Sequence, residues 1–408
     1  MKSVAAKGSV CLFLLYILWY KEVYGDVLPA LYGGAVLVVL TTLLYVDHKP
    51  LKAIIPPKGV GLGIGFGVYS LITGLVVASN RGLLVSSVVT YMAFLVVCWC
   101  ICIICRGEND IQWLLKCIAI VCYVCAVYTV FFGKPYRNGV YVTTMGPMNN
   151  PNTLGVLMVC GMFCVLYNKK NRVVELALTL ASVLLFFYVI ILSGSRKALL
   201  SGWVLSLVWL VTFIIDTRNL TNRKEKMVKC LLMLVVLTVG VLYFLKEYSN
   251  TVSFERLKML VTGGLPNSRT GMYKEALDLF KTSKLFGIGY NHFRVQSSFD
   301  TYAHSTYAEV LADGGIFGCI LYFYPIVKTG ITFIKKLKKS LSYQIGMLFA
   351  LYVVEIFLGF ANIFMYSFTH LVIWSILYMA AEKAYLCKEV YDNRGEKTCQ
   401  NFALSSDS

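Results

Sequence analysis

The chain has 408 residues, of which 58% are hydrophobic and 14% charged, whereas soluble domains run at about 45–50% apolar, glycine included, and about 25% charged. A mean hydropathy of +0.69, with 27 Tyr, 24 Phe and 6 Trp, excludes an ordinary soluble enzyme, because only a bilayer removes the need to cover so much apolar surface with polar atoms. The formal net charge of +17 would point to nucleic acid in a soluble protein; here the placement of the charges along the chain explains it, and no nucleic-acid partner is inferred.

A bilayer core of about 30 Å takes about 20 apolar residues per helix. Runs of that kind fall at 4–20, 27–46, 59–78, 83–105, 111–132, 153–167, 173–192, 198–215, 230–245, 316–334, 343–364 and 369–386. They predict an all-α polytopic membrane protein of about twelve transmembrane helices with one large extracytoplasmic loop between spans nine and ten. The domains read as a transmembrane bundle over 1–245, the outer loop over 246–303, spans ten to twelve over 304–386 and a tail over 387–408.

Lysines and arginines recur in alternate connections, at Lys49, Lys52 and Lys58, at Lys169, Lys170 and Arg172, from Arg218 to Lys229, and from Lys335 to Lys339, while the intervening short loops hold few. Basic residues accumulate on the cytoplasmic side, so both termini are expected there. The first run is followed by Lys21-Glu22 with no small-residue cleavage site, and reads as a retained anchor.

Two patterns look like chemistry and are better read as packing. Of 14 cysteines, those outside the tail lie in predicted spans, where a thiol behaves as a small apolar group. The dense run from Cys98 to Cys105 points successive thiols in different directions on a helix, and no metal site is expected. The glycines from Gly59 to Gly67 lack the spacing and preceding strand of a nucleotide loop, and their 59/63/67 and 61/65 repeats suit close helix contact.

The outer loop carries its own helix signal. Pro266-Asn267-Ser268 offers a turn and an N-cap, and Met272, Tyr273, Ala276, Leu277, Leu279 and Phe280 form an apolar stripe. Such a helix suits a membrane surface. Leu285-Phe-Gly-Ile-Gly289 is a glycine-punctuated turn, and a helical stretch following Asp300-Thr-Tyr-Ala-His304 is interrupted at Gly314-Gly315.

Ionisable groups at the outer face mark the candidate site. Arg196 occupies the turn Ser193-Gly-Ser-Arg-Lys-Ala198, and Arg269 stands at the first turn of the loop helix, where free backbone N–H groups and a guanidinium fork both favour phosphate. His304 is the one of four histidines at the loop-to-span junction. Glu355, within the eleventh span, where an acid usually faces a cavity or a partner, reads as a structural pair ahead of a catalytic group.

Four segments together resemble the O-antigen ligase and Wzy-type polysaccharide polymerase family: Asn149-Asn-Pro-Asn152 with Thr-Leu-Gly155; Ser193-Gly-Ser-Arg-Lys-Ala-Leu199; Arg269-Thr-Gly-Met-Tyr-Lys-Glu-Ala-Leu277 running on to Leu285-Phe-Gly-Ile-Gly289; and His304-Ser-Thr-Tyr-Ala-Glu-Val-Leu-Ala-Asp-Gly-Gly-Ile-Phe-Gly318. The likeness covers about 145–330 and departs at Ser305, where the family often has Asn. It implies transfer of a glycan from a polyprenyl-diphosphate carrier to an acceptor hydroxyl at the bacterial plasma membrane, on its outer face, without cofactor or metal. The product expected is a surface polysaccharide: capsule, O-antigen or exopolysaccharide. By that resemblance His304 is the general base, with an ordinary histidine pKa near 6.5, and Arg196 and Arg269 hold the diphosphate. Asn152, Arg81 and Arg137 are further candidates for the same cavity, and His292, at an unmatched position, is expected to be dispensable. The bilayer and an acceptor glycan are the partners implied, with room for a flippase and a chain-length regulator of the same pathway. Ligation to a different acceptor, or a lipid-linked glycan flippase, are the alternatives; the long loop after the ninth span has no counterpart after the third, which speaks against the internal repeats common in transporters.

Overall fold

The computed structural model describes residues 2–20, 28–47, 49–136, 140–142, 150–167, 172–217, 268–339, 342–382, 388–391 and 397–400. In chain order its helices are α1 (Lys2–Leu15, continued by the π-helical turn Tyr16–Tyr20), α2 (Leu28–Val46), α3 (Lys58–Val77), α4 (Arg81–Ile104), α5 (Glu108–Phe132), α6 (Pro151–Leu166), α7 (Val173–Ser193), α8 (Arg196–Thr217), α9 (Ser268–Thr282), α10 (Phe293–Gln296), α11 (Thr306–Lys339), α12 (Tyr343–Gly359) and α13 (Phe368–Glu382). Among the described residues, β structure is confined to two antiparallel hairpins, Lys134–Tyr136 with Val140–Val142 and Lys388–Tyr391 with Lys397–Gln400.

Eight of these helices are long and apolar enough to cross a membrane, and α6, α12 and α13 are shorter apolar helices. The expected span 230–245, and the expected loop up to residue 267, lie outside the described residues. One boundary needs correction. The run expected to span 343–364 leaves the helix after Gly359 and reaches α13 through the 3-10 turn Phe364–Tyr366. Apolar composition continues across this break without a change, so hydropathy alone did not reveal it.

Polar side chains place the helix ends. Asn80 caps α4 by accepting from Leu83 N at 3.0 Å, Asn150 caps α6 ahead of Pro151, and Ser342 caps α12. Gly194 ends α7 with φ 64°, a left-handed position that suits glycine and lets α8 start two residues later.

The bundle has two distinct ends. At one, the Lys58 backbone N–H donates to Glu382 at 2.5 Å, and the basic side chains of Arg106 and Lys336 donate to Ile55 O and Ala380 O. At the other lie the C-terminus of α3, the N-termini of α4, α6, α8, α11 and α13, and the C-termini of α7 and α12. Of the glycine run, Gly59 meets the Tyr378 ring, Gly63 meets Leu95 and Gly67 meets Met92, while a Cβ at Gly65 would find nothing within 4 Å. The 59/63/67 half of the pattern is therefore a packing face, and the 61/65 half is not.

Residues 283–305 dock on the bundle rather than extending from it. Tyr290 is fully buried against Phe66, Tyr91 and Tyr366, at ring centroid distances of 6.2, 5.7 and 5.5 Å, and its hydroxyl donates to Met365 O. The stripe on α9 turns its Met272 and Ala276 onto Phe293, Ala303 and Ala312, so this face is spent on the protein; Leu277, expected in the stripe, is 44% exposed.

The turn at Gly287 and Gly289 slots into a break in α11. Ile288 N and Gly289 N donate to Ala312 O and Asp313 O at 3.0 Å, and Ile316 N donates back to Lys284 O. Gly315 adopts φ 62° there, and a Cβ on it would lie 2.6 Å from Leu285 O and Gly287 N. Gly315→Ala should therefore cost about 2 kcal/mol or more and lower the thermal midpoint of the detergent-solubilised protein by several degrees. Gly65→Ala, in open space on a helix, should leave the midpoint unchanged or raise it slightly.

Candidate functional site

The expected site residues that the structure describes sit at one end of the bundle. Arg196 and Lys197 open α8, directly after the Gly194 turn, and Arg269 stands in the first turn of α9. Cations at a helix N-terminus are repelled by the helix dipole, so three of them at two such termini make a region suited to a bound anion. Arg196 and Lys197 are half-buried and Arg269 is exposed.

The Asn152 segment and the Arg196 turn are packed face to face. Gly155 lies where a Cβ would come 2.7 Å from Ala198 Cβ and 2.8 Å from Ser195 Cβ, and the Ser195 hydroxyl lies 3.2 Å from Asn152 Oδ1. Two of the four motifs thus form one unit, with Asn152 positioned beside the turn. Arg81 stands on the exposed first turn of α4, and no hydrogen bond or ion pair among the described residues joins it to His304. Arg137 lies outside the described residues.

His304 occupies a strained turn, with φ 55°, unusual for a residue with a side chain. Both sides of this turn are clamped. Before it, Ala303 N donates to Glu309 Oε2 at 2.6 Å; after it, Thr306 N and Oγ1 donate to Asn362 O at 2.9 and 2.7 Å. The imidazole packs on the Tyr302 ring at 4.3 Å between centroids. Asp300, the acid four residues earlier, is exposed, and its carboxylate has no bond to the imidazole among the described residues. Burial, the Arg269 guanidinium and the Lys197 ammonium hold the His304 pKa down to about 4, well below the ordinary value expected from sequence. The ring is neutral at pH 7 and its lone pair is free to accept a proton.

Two buried carboxylates that sequence reading passed over build the scaffold behind His304. Asp313 accepts from Asn291 N at 2.6 Å and Phe293 N at 2.9 Å, and the Tyr366 hydroxyl donates to Glu309 at 3.0 Å and Asp313 at 3.3 Å. Both acids are committed to holding backbone. Spacing at i and i+4 on one helix was the available signal, since it places Glu309 and Asp313 on one face.

Lys197 is the other residue that was missed. Its ammonium donates to Ala361 O at 2.9 Å and to Asn362 Oδ1, the same residue whose carbonyl clamps the His304 turn. Tyr273 of α9 donates to Phe360 O at 2.8 Å. Hence α8 and α9, which carry Lys197 and Arg269, and the start of α11, which follows the His304 turn, all fasten to residues 360–362. The clue in the sequence was a polar Asn362 within an otherwise apolar stretch. His292 is no bystander either: it is fully buried, and its Nε2 accepts from Asn80 N at 3.1 Å, pinning residues 283–305 to the start of α4.

A family model described as O-antigen ligase matches residues 181–323. This span takes in the Arg196 turn, α9, the Gly287 turn and the His304 helix, and stops short of the Asn152 segment. A search of curated proteins found no match. The segment that supplies Arg196, Arg269 and His304 is thus similar to the O-antigen ligase family.

Proposed function

We propose that this membrane protein moves a polyprenyl-diphosphate-linked oligosaccharide onto an acceptor hydroxyl at the outer face of the plasma membrane, extending a surface polysaccharide by repeat units. The observation that carries this reading is a neutral imidazole held beside a guanidinium and an ammonium at the bundle end remote from Lys58, Lys336 and Glu382. Basic connections mark the cytoplasmic side, so the site end is assigned to the outside and both termini to the inside.

The chemistry follows from the charges. His304 takes the proton of the acceptor hydroxyl as its oxygen attacks the anomeric carbon. The bond from that carbon to the diphosphate oxygen breaks, and polyprenyl diphosphate departs with the electron pair. Arg196 and Arg269 offset the negative charge that grows on it, an effect worth about 3 kcal/mol per well-placed donor. Asn152, beside the Arg196 turn, is placed to bind donor sugar or phosphate. Bound diphosphate also neutralises the cations that depress His304, so the donor strengthens the base that uses it.

Lysine keeps the charge of arginine and loses the planar fork. Arg196→Lys and Arg269→Lys should each lose most glycan transfer at normal expression, and His304→Ala should leave a folded protein with about 100-fold less activity or lower, with lipid-linked single repeats accumulating. Full activity of the two lysine variants would remove the diphosphate-binding role. Transfer by purified protein should survive EDTA, and growth on the polyprenyl carrier identifies a polymerase, transfer to another acceptor a ligase.

The pH profile tests the base. The acid limb of kcat/KM reports the free enzyme and that of kcat the complex. Activity requires neutral His304, so it should fall as pH drops; the kcat/KM limb should lie near pH 4 and the kcat limb higher, because bound diphosphate raises the pKa. Coincident limbs near 6.5 would show that the cations do not act on the imidazole.

A further inference from the structure

Glu355 and His370 take no part in the steps above, yet both are buried, at 1% and 3% exposure. Glu355 Oε2 lies 2.8 Å from His370 Nδ1, and His370 Nε2 lies 3.1 Å from Asn362 Nδ2. Asn362 Oδ1 faces the Lys197 ammonium. An ammonium only donates, which fixes the amide with its oxygen toward Lys197 and its NH2 toward His370. The amide then donates to Nε2, so Nε2 is the bare nitrogen and the ring proton sits on Nδ1, donated to Glu355. Every member has a partner, and the dipoles run in one sense from the Glu355 carboxylate to the Lys197 ammonium, four residues drawn from α8, the 360–363 connection, α13 and α12.

A buried carboxylate within an apolar helix is costly unless it serves a partner. Here the partner at the far end is a cation at the mouth of the site. Ala361 O and Asn362 Oδ1 take two of the three ammonium donors, and the third has no acceptor among the described residues. Asn362 also holds the His304 turn through its carbonyl, so the ammonium and the imidazole are set on one residue.

We propose that Lys197 is a third cation of the diphosphate pocket, and that Asn362, His370 and Glu355 are positioning residues that hold its ammonium there. This rests on the polyprenyl-diphosphate reading. Arg269 is exposed on a loop helix, whereas Lys197 is fixed by the bundle itself, and a rigid point charge binds phosphate oxygens without the cost of being ordered.

The test is binding of farnesyl diphosphate and farnesyl monophosphate to the purified full-length protein in detergent, with thermal midpoints recorded for every variant. Lys197→Met should weaken the diphosphate about tenfold and the monophosphate less than about threefold, as expected for loss of one charge-assisted contact. Glu355→Gln keeps the volume and an acceptor for His370 while removing the charge, and should weaken the diphosphate about threefold. If Glu355 acts through Lys197, the double variant should bind like Lys197→Met alone. Should Lys197→Met fail to fold, Lys197→Gln, which can still bond Ala361, carries the same expectation. Unchanged diphosphate affinity in the lysine variant, or a double variant weakened by the product of the two single effects, overturns the proposal. If Arg269→Ala loses the preference for diphosphate and Lys197→Met keeps it, this inference falls while the diphosphate reading stands. Wild-type protein that does not prefer diphosphate over monophosphate overturns both.

Discussion

A helix that ends inside a bundle leaves carbonyl oxygens without partners, and in apolar surroundings each must be satisfied. The end of α12 and the connection that follows it meet this demand with side chains from elsewhere. Tyr307 donates to Ile356 O, Tyr273 to Phe360 O, Lys197 to Ala361 O, Thr306 to Asn362 O and Tyr290 to Met365 O. These donors come from α8, α9, α11 and the docked turn after α9. Satisfying one stretch of backbone therefore gathers the elements that carry Lys197, Arg269 and His304.

A second constraint works on α11. α11 breaks at Gly315, and the break exposes backbone that the Gly287 turn fills. Asp313 and Glu309, one turn apart, then accept from the amides of Asn291, Phe293 and Ala303. Acids that would invite a catalytic reading in isolation are engaged by backbone donors and Tyr366, whereas the His304 imidazole is not used to hold backbone among the described residues.

The electrostatics of the site follow from these two anchors. Packing brings cations toward an imidazole in a partly desolvated turn, which holds the ring neutral. In the proposed reaction the same cations attract the diphosphate of the donor, whose charge raises the imidazole pKa. On that proposal binding and activation are two consequences of one charge distribution, and the buried Glu355–His370–Asn362 chain meets it at Lys197.

The sequence by itself determined the class of the molecule, because no soluble fold buries this much apolar area with so few charges, and hydropathy located nearly every described helix. It also marked Arg196, Arg269 and His304, since cations at helix starts and a lone histidine at a loop-to-span junction are local features visible in the order of residues. Hydropathy did not register the end of α12 at Gly359, because the residues that follow are as apolar as those before; the break is made by donors from distant elements. The roles of Lys197, Asn362, His292 and Asp313 were equally hidden, since each depends on a partner in another segment of the chain. The histidine pKa belongs to the same category: composition supplies the imidazole, and only the tertiary structure decides which charges stand next to it and how much water it retains.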